Sequence, residues 1–271
     1  MKYYGGIDIG STSIKLVLID QEKRLVADVT SPTGSHFHQN TMKAFVGLLA
    51  DNGMRREDVA YIFSTGYGRK LFKESDETIS EITANAVGAT AFSREGEPVR
   101  TIINIGGQDL KVIQLDGEGQ IHNFAMNDKC AAGTGRFLEM TARNLEVEVD
   151  QLGDLHMRAT GVPLTINSTC TVFAESEIIS LLANGHGKEE LIAGVHYSIA
   201  KRVARLAKRF AGSGAVFFDG GPARNRGLVA ALEDELMRPV IVPSAPQITT
   251  AFGAALLALE ACEDLAGEGS V

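Results

Sequence analysis

The chain has 271 residues, 44% of them hydrophobic, and a formal net charge of −8. This length is enough to bury one large core or two modest ones. The negative charge leaves no broad basic surface for nucleic acid, and no apolar stretch is long enough to span a bilayer. The N-terminus carries no export signature. We therefore expect a cytoplasmic protein without nucleic-acid or membrane partners, whose three cysteines form no structural disulfide.

A repeat organises the chain. Residues 7–20 align without a gap with residues 103–116, and a glycine, a lysine and the final acid coincide. Each copy predicts a β-hairpin whose tight turn lies at Gly10 or Gly106. Two such hairpins indicate two related α/β halves that face one another, with a ligand in the cleft between them.

The remaining elements alternate between the two types. Further strands are predicted near 25–29, 61–64, 121–125, 216–219 and 240–242. Helices are predicted over 42–49, 83–92, 136–145, 172–182, 191–210, 228–236 and 249–261. We assign the first half to residues 1–97, with a C-terminal helix at 247–265 packing back on it, and the second half to 98–246.

Both hairpin turns suit phosphate, because backbone N–H groups approach a phosphate closely only where side chains are small. A single turn of this kind is more often only a turn, but its duplication favours a nucleotide site. Asp8 and Asp109 are the predicted catalytic residues, and Asp8 is also predicted to hold Mg²⁺ through water. The other predicted nucleotide-binding residues of the hairpins are Gly10, Ser11, Thr12, Ser13, Lys15, Gly106, Gly107, Gln108 and Lys111.

A third glycine segment, 218–225, follows a predicted strand and precedes a helix that begins near Arg226. Gly220, Gly221, Arg224 and Asn225 are predicted to contact the nucleoside, although a strand-to-helix turn capped by Asn225 explains part of the pattern. The chain has neither a P-loop nor a Gly-x-Gly-x-x-Gly fingerprint. The duplicated hairpins instead resemble the actin, sugar-kinase and Hsp70 (ASKHA) ATPase superfamily, which is the predicted fold.

Two cysteines precede predicted helices. Cys130 lies in a loop of small residues, and Cys170 is predicted at the start of a helix, where N–H groups favour a thiolate and an anionic cluster. A cubane cluster needs four thiolates, so a homodimer would complete it with two from each chain. Zinc could use the same sulfurs, and either cysteine could be a small core residue, as we expect of Cys262.

Residues 127–137 (NDKCAAGTGRF) and 168–177 (STCTVFAESE) closely resemble the cluster motifs of the activators of 2-hydroxyacyl-CoA dehydratases and of benzoyl-CoA reductase ATPase subunits. The resemblance covers nearly the whole chain. It implies ATP/ADP and Mg²⁺ binding, and an oxygen-sensitive homodimer with one [4Fe–4S] cluster held by Cys130 and Cys170. It also implies ferredoxin or flavodoxin as electron donor, and a dehydratase or double-cubane cluster protein as acceptor.

The chain departs from the family pattern in three places. Asn104 stands where the family commonly has Asp, Asn85 stands where it often has His, and GGPARN replaces a GGVA pattern at 220–225. Two other functions stay open on the sequence. One is an ASKHA-type small-molecule kinase, which gives no role to the cysteines, and the other is a zinc-stapled nucleotide-binding dimer.

Overall fold

The computed structural model describes residues 2–92, 97–166, 170–210 and 214–268. The chain divides into two compact units. The first comprises residues 1–94 and 247–271, and the second comprises 95–246.

The first unit is a five-stranded sheet with helices. Its sheet has the order β3-β2-β1-β4-β5, in which β1 is antiparallel to β2 and parallel to β4. The elements are β1 (Tyr3–Ile9), β2 (Ser13–Ile19), β3 (Leu25–Pro32), α1 (Phe37–Asp51), β4 (Val59–Thr65), β5 (Glu77–Thr78), α2 (Glu81–Phe92) and α8 (Thr249–Glu268).

Alternating side chains of β1 and β2 form the core of this unit. Ile7, Ile9, Ile14 and Leu16 are almost fully buried in a cluster that also contains Phe45 of α1. Glycines let α8 pack closely on the rest of the unit. A Cβ at Gly6 would lie 1.9 Å from the Ala251 carbonyl oxygen, and one at Gly253 would lie 1.8 Å from the Ala84 carbonyl oxygen. At these positions backbone packs on backbone without room for a methyl group.

The second unit repeats this plan. Its sheet has the order β10-β9-β6-β7-β8, which corresponds strand by strand to that of the first unit. The elements are β6 (Val99–Ile105), β7 (Leu110–Leu115), β8 (Ile121–Asn127), α3 (Gly135–Asn144), α4 (Leu152–Arg158), α5 (Thr171–Ala183), α6 (Lys188–Ala207), β9 (Ala215–Asp219), α7 (Arg226–Leu236) and β10 (Val240–Ile241). The common topology and the two hairpins confirm the predicted duplicated α/β fold.

Every predicted strand and helix is present, with ends that differ by a few residues. The helix predicted over 191–210 begins at Lys188 and ends at Ala207, followed by a 3₁₀ turn over Lys208–Phe210. The sequence did not predict the short elements β5 and α4. Residues 168 and 169 of the second cysteine motif lie outside the described residues. Within the described part of the chain, no helix has the length and apolarity needed to cross a membrane.

Candidate functional site

The first hairpin turn is tight and anchored. The Gly10 N–H donates to the Ser13 carbonyl at 3.1 Å, and a Cβ at Gly10 would lie 2.9 Å from that oxygen. Thr33, which is fully buried, donates its hydroxyl to the Gly10 carbonyl at 2.8 Å and its N–H to the Thr12 carbonyl at 3.0 Å. Ser11, Thr12 and Ser13 remain partly exposed at the turn, so their hydroxyls are accessible to a ligand. The sequence prediction missed Thr33.

Asp8 lies at the end of β1 and is 5% exposed. Its Oδ2 accepts from Lys15 Nζ at 3.1 Å, whereas its Oδ1 has no hydrogen-bond partner among the described residues. Gly66 (φ +85°) lies against this carboxylate, since a Cβ there would be 2.5 Å from Oδ1. A buried carboxylate oxygen that lacks a partner suits a hydrated Mg²⁺ ion.

The second hairpin turn has the same closure. The Gly106 N–H donates to the Asp109 carbonyl at 2.9 Å. Lys111 is 2% exposed and donates to Asp109 Oδ2 at 2.7 Å. In each hairpin, therefore, the predicted phosphate-binding lysine is paired with a predicted catalytic carboxylate. Gln108 is exposed at the tip of this turn.

Asn104 occupies the position in β6 that Asp8 occupies in β1. Its Nδ2 donates to Asp219 Oδ1 at 2.9 Å, and both residues are buried. Asp219 ends β9 directly before Gly220. An amide at position 104 thus donates to a carboxylate that the sequence prediction overlooked, and the second unit keeps a buried acid beside its glycine turn.

The second hairpin, the start of α3 and the 220–222 turn converge. The N–H groups of Gly135 and Arg136 donate to the Gly106 and Gly107 carbonyls, each at 2.9 Å. A Cβ at Gly135 would lie 3.3 Å from Gly107 Cα and 3.6 Å from Pro222 Cγ. Because α3 follows the Cys130 loop, hydrogen bonds connect a predicted phosphate turn directly to the helix behind a predicted cluster ligand.

The backbone of the 220–225 segment requires glycine at position 220. Gly220 has φ +92° and ψ 171°, and a Cβ there would lie 2.1 Å from the Ile105 carbonyl oxygen. Gly221 and Arg224 are exposed in the 3₁₀ turn Gly221–Arg224. Asn225 is the N-cap of α7 and accepts the Leu228 N–H at 3.0 Å, which confirms the predicted cap.

The two cysteine motifs meet at one cleft. Cys170 is the N-cap residue of α5 with extended φ and ψ, as predicted, whereas Cys130 lies five residues before α3 in a loop closed by turns. Both are partly exposed. Ala131 and Thr171, the residues directly after the cysteines, line a cleft of about 230 Å³. The other lining residues come from α3 and α5: Arg136, Glu139, Met140, Arg143, Val172 and Glu175.

All three cysteines lie in the described part of the chain, and they form no disulfide. Among the described residues, no group of three or more His, Cys, Asp or Glu side chains could hold a metal ion. One chain therefore offers two cysteines next to residues that line the cleft, and a four-thiolate cluster would need two more from a second copy. Cys262 is half-buried in α8 rather than buried as expected.

Comparison with known proteins shows the family to which this chain belongs. The BadF/BadG/BcrA/BcrD ATPase family matches residues 6–258. The chain belongs to this ATPase family. It is 47% identical over 264 residues to an activator of lactoyl-CoA dehydratase from Anaerotignum propionicum, an alignment that covers 96% of this chain and 99% of the relative.

Two solved structures are similar to the structure of this chain. The activator of the 2-hydroxyisocaproyl-CoA dehydratase from Clostridium difficile with bound ADPNP superposes with a TM-score of 0.92 and 44% identity, over 98% of this chain and 97% of that one. A ROK family glucokinase from Streptomyces griseus has a TM-score of 0.59 at 15% identity, covering 95% of this chain and 99% of that one. The second likeness concerns the fold alone and agrees with the predicted ASKHA class.

Two further segments of the first unit contact the elements described above. Residues 66–69 follow β4 and lie against β1, with the Gly68 N–H donating to the Ile9 carbonyl at 2.8 Å. Residues 81–85 begin α2, where buried Asn85 donates to Thr250 Oγ1 of α8 at 3.1 Å. The first segment therefore borders the Asp8 carboxylate, and the second joins α2 to α8.

Proposed function

We propose that this chain is an ATP-hydrolysing electron-transfer protein that activates a 2-hydroxyacyl-CoA dehydratase or a related double-cubane cluster protein. It would act as a homodimer in which Cys130 and Cys170 of both copies hold one [4Fe–4S] cluster. The observation that carries this proposal is the pair of hydrogen bonds from Gly135 and Arg136 to the second hairpin turn. They connect a predicted phosphate-binding turn with the helix that follows Cys130. The activator relatives support the same function.

The hairpins would hold the nucleotide through backbone N–H groups, with the hydroxyls of Ser11, Thr12 and Ser13 adding donors. Asp8 Oδ1 fits an Mg²⁺-bound water, and Lys15 would exchange part of its ion pair with Asp8 for a phosphate oxygen. Gly220 and Gly221 allow close approach to the nucleoside. Hydrolysis converts ATP and water to ADP and phosphate.

When bound, a [4Fe–4S] cluster supplies a one-electron carrier of low potential. Ferredoxin or flavodoxin would donate the electron, and the acceptor would take it up. The chain itself would supply two cysteine sulfurs and the first N–H groups of α5, which have no acceptor within the helix. Val172 and Phe173, two and three residues after Cys170, are 67% and 69% exposed and give a second copy an apolar surface to cover.

A change of the bound nucleotide would alter the position of the Cys130 loop through α3. A shift of the 106–107 turn on phosphate binding displaces the two carbonyls that accept from Gly135 and Arg136. Hydrogen exchange of these two amides in the ADP and ADPNP complexes measures whether their hydrogen bonds change with the nucleotide. We expect their protection to differ between the two complexes, and equal protection would contradict the coupling.

Cysteine substitutions test the cluster assignment. We expect Cys130→Ala and Cys170→Ala, each purified without oxygen, to lose bound iron and acid-labile sulfide while still binding ADP. Cys262→Ala is the matched control, because this thiol is also partly exposed but lies in α8 of the first unit. Full iron content in either of the first two variants would refute the assignment, and zinc in place of iron in the wild-type protein would favour the zinc-stapled alternative.

A further inference from the structure

A buried chain of polar side chains lies behind the Gly221–Arg224 turn. Asn225 Nδ2 lies 2.9 Å from His196 Nε2, and His196 Nδ1 lies 2.8 Å from His156 Nδ1. The planes of the two imidazole rings are nearly parallel, with an interplanar angle of 18° and centroids 5.0 Å apart. His196 is fully buried in α6, His156 belongs to α4, and Asn225 caps α7. Three helices of the second unit are thus connected at one point.

The hydrogen-bond partners determine where the protons are. Asn225 Oδ1 accepts the Leu228 N–H, so the atom that faces His196 is the amide nitrogen, which can only donate. His196 Nε2 must therefore accept, and its proton is on Nδ1. That N–H donates to His156 Nδ1, which leaves the His156 proton on Nε2. Both donors, Asn225 Nδ2 and His196 Nδ1, then point along the chain from Asn225 to His156.

Both imidazoles are neutral in this arrangement. Burial, and secondarily the nearby His156, lowers the pKa of His196 to about 3. Burial also lowers the pKa of His156, and Asp234 of α7 opposes that shift. Asp234 itself accepts a hydrogen bond from Tyr197 of α6. A neutral His196 can accept at Nε2, which a protonated ring cannot do.

We propose that His196 is a positioning residue for the nucleotide, acting through Asn225 on the turn that would contact the nucleoside; this rests on the proposed ATP site. The Asn225 N–H donates to the Pro222 carbonyl at 3.0 Å, so Asn225 connects the turn to α7. In addition, α4 packs closely against Asn225 and against α7. A Cβ at Gly153 would lie 3.1 Å from Asn225 Oδ1, and one at Gly227 would lie 2.5 Å from His156 Cβ.

The test compares three folded variants with the wild-type protein by ADP calorimetry and steady-state ATP hydrolysis at neutral pH. His196→Leu removes the acceptor for Asn225, so we expect ADP affinity to fall about three- to tenfold and KM for ATP to rise with kcat unchanged. His196→Gln keeps an acceptor and should restore both values to within about twofold. Lys201→Ala, on the exposed side of α6, is the matched control.

Asn225→Ser keeps a cap for α7 through its hydroxyl and removes the group that faces His196, without changing the buried ring. The double variant with His196→Leu should bind ADP no more weakly than Asn225→Ser alone. Additive losses, equal weakness of the Gln and Leu variants, or wild-type affinity in folded His196→Leu would each overturn the proposal. Failure of the wild-type protein to bind ADP or ATP would instead refute the proposed function.

Discussion

Two adjacent glycines, Gly220 and Gly221, should respond in opposite ways to alanine. Gly220 has φ +92° and ψ 171°, a conformation that costs other residues about 1–3 kcal/mol. An added Cβ would also lie 2.1 Å from the Ile105 carbonyl oxygen, and relieving such overpacking costs about 1–3 kcal/mol. Gly220→Ala should therefore lower the free energy of unfolding by about 2–6 kcal/mol.

Gly221 is the matched control. It begins the 3₁₀ turn, and no atom lies within 4 Å of a Cβ built there. Gly221→Ala should leave the free energy of unfolding unchanged or raise it by up to about 1 kcal/mol, because it restricts the unfolded chain. If Gly221 approaches the nucleoside, this variant should nevertheless bind ADP more weakly.

Urea unfolding of both variants gives the difference in stability, and calorimetry gives ADP affinity. Transition midpoints should be compared only if the m-values agree, since the linear extrapolation depends on them. Equal free energies of unfolding for the two variants would refute the inferred conflict between Gly220 and Ile105. Wild-type ADP affinity in Gly221→Ala would refute the close approach of the nucleoside.

Three further perturbations have defined outcomes. Gly253→Ala should lower the free energy of unfolding by about 3 kcal/mol, because its Cβ would lie 1.8 Å from the Ala84 carbonyl oxygen. Gly47→Ala in α1 should raise it by about 0.5–1 kcal/mol, because alanine favours a helix and no atom lies within 4 Å of a Cβ there. Similar thermal unfolding of the two variants would contradict this. The free energy of unfolding should fall below pH 6.5 by up to about 1.4 kcal/mol per pH unit, because His196 has its ordinary pKa of 6.5 in the unfolded chain and a pKa of about 3 in the folded chain. Urea unfolding at several pH values measures this dependence, and His196→Gln should show a weaker one. An equally steep dependence on pH in His196→Gln would exclude His196 as its cause. Asp8→Asn should slow phosphate release from ATP at least about tenfold while ADP still binds, and a wild-type rate would remove Asp8 from the mechanism.

The sequence predicted what depends on neighbouring residues. Both hairpin turns, the Asn225 cap and the position of Cys170 at a helix start follow from short segments whose glycines, polar caps and apolar periods act locally. The duplicated fold followed from the internal repeat. These features need no knowledge of which distant segments meet.

Interactions between distant segments were not predictable in the same way. Asn104 and Asp219 are 115 positions apart, and their hydrogen bond depends on the pairing of β6 with β9. Gly66 lies beside Asp8 because β4 pairs with β1. His196 gave no signal in the sequence, since a histidine on the buried side of an amphipathic helix resembles any core position until its partner Asn225 is located.

The most direct test of the proposed function is the iron and acid-labile sulfide content of the wild-type protein, purified without oxygen, together with its mass in solution. We expect a dimer that contains four irons and four sulfides, with a brown visible spectrum that disappears in Cys130→Ala. A monomer, or a colourless dimer after anaerobic reconstitution with iron and sulfide, would contradict it.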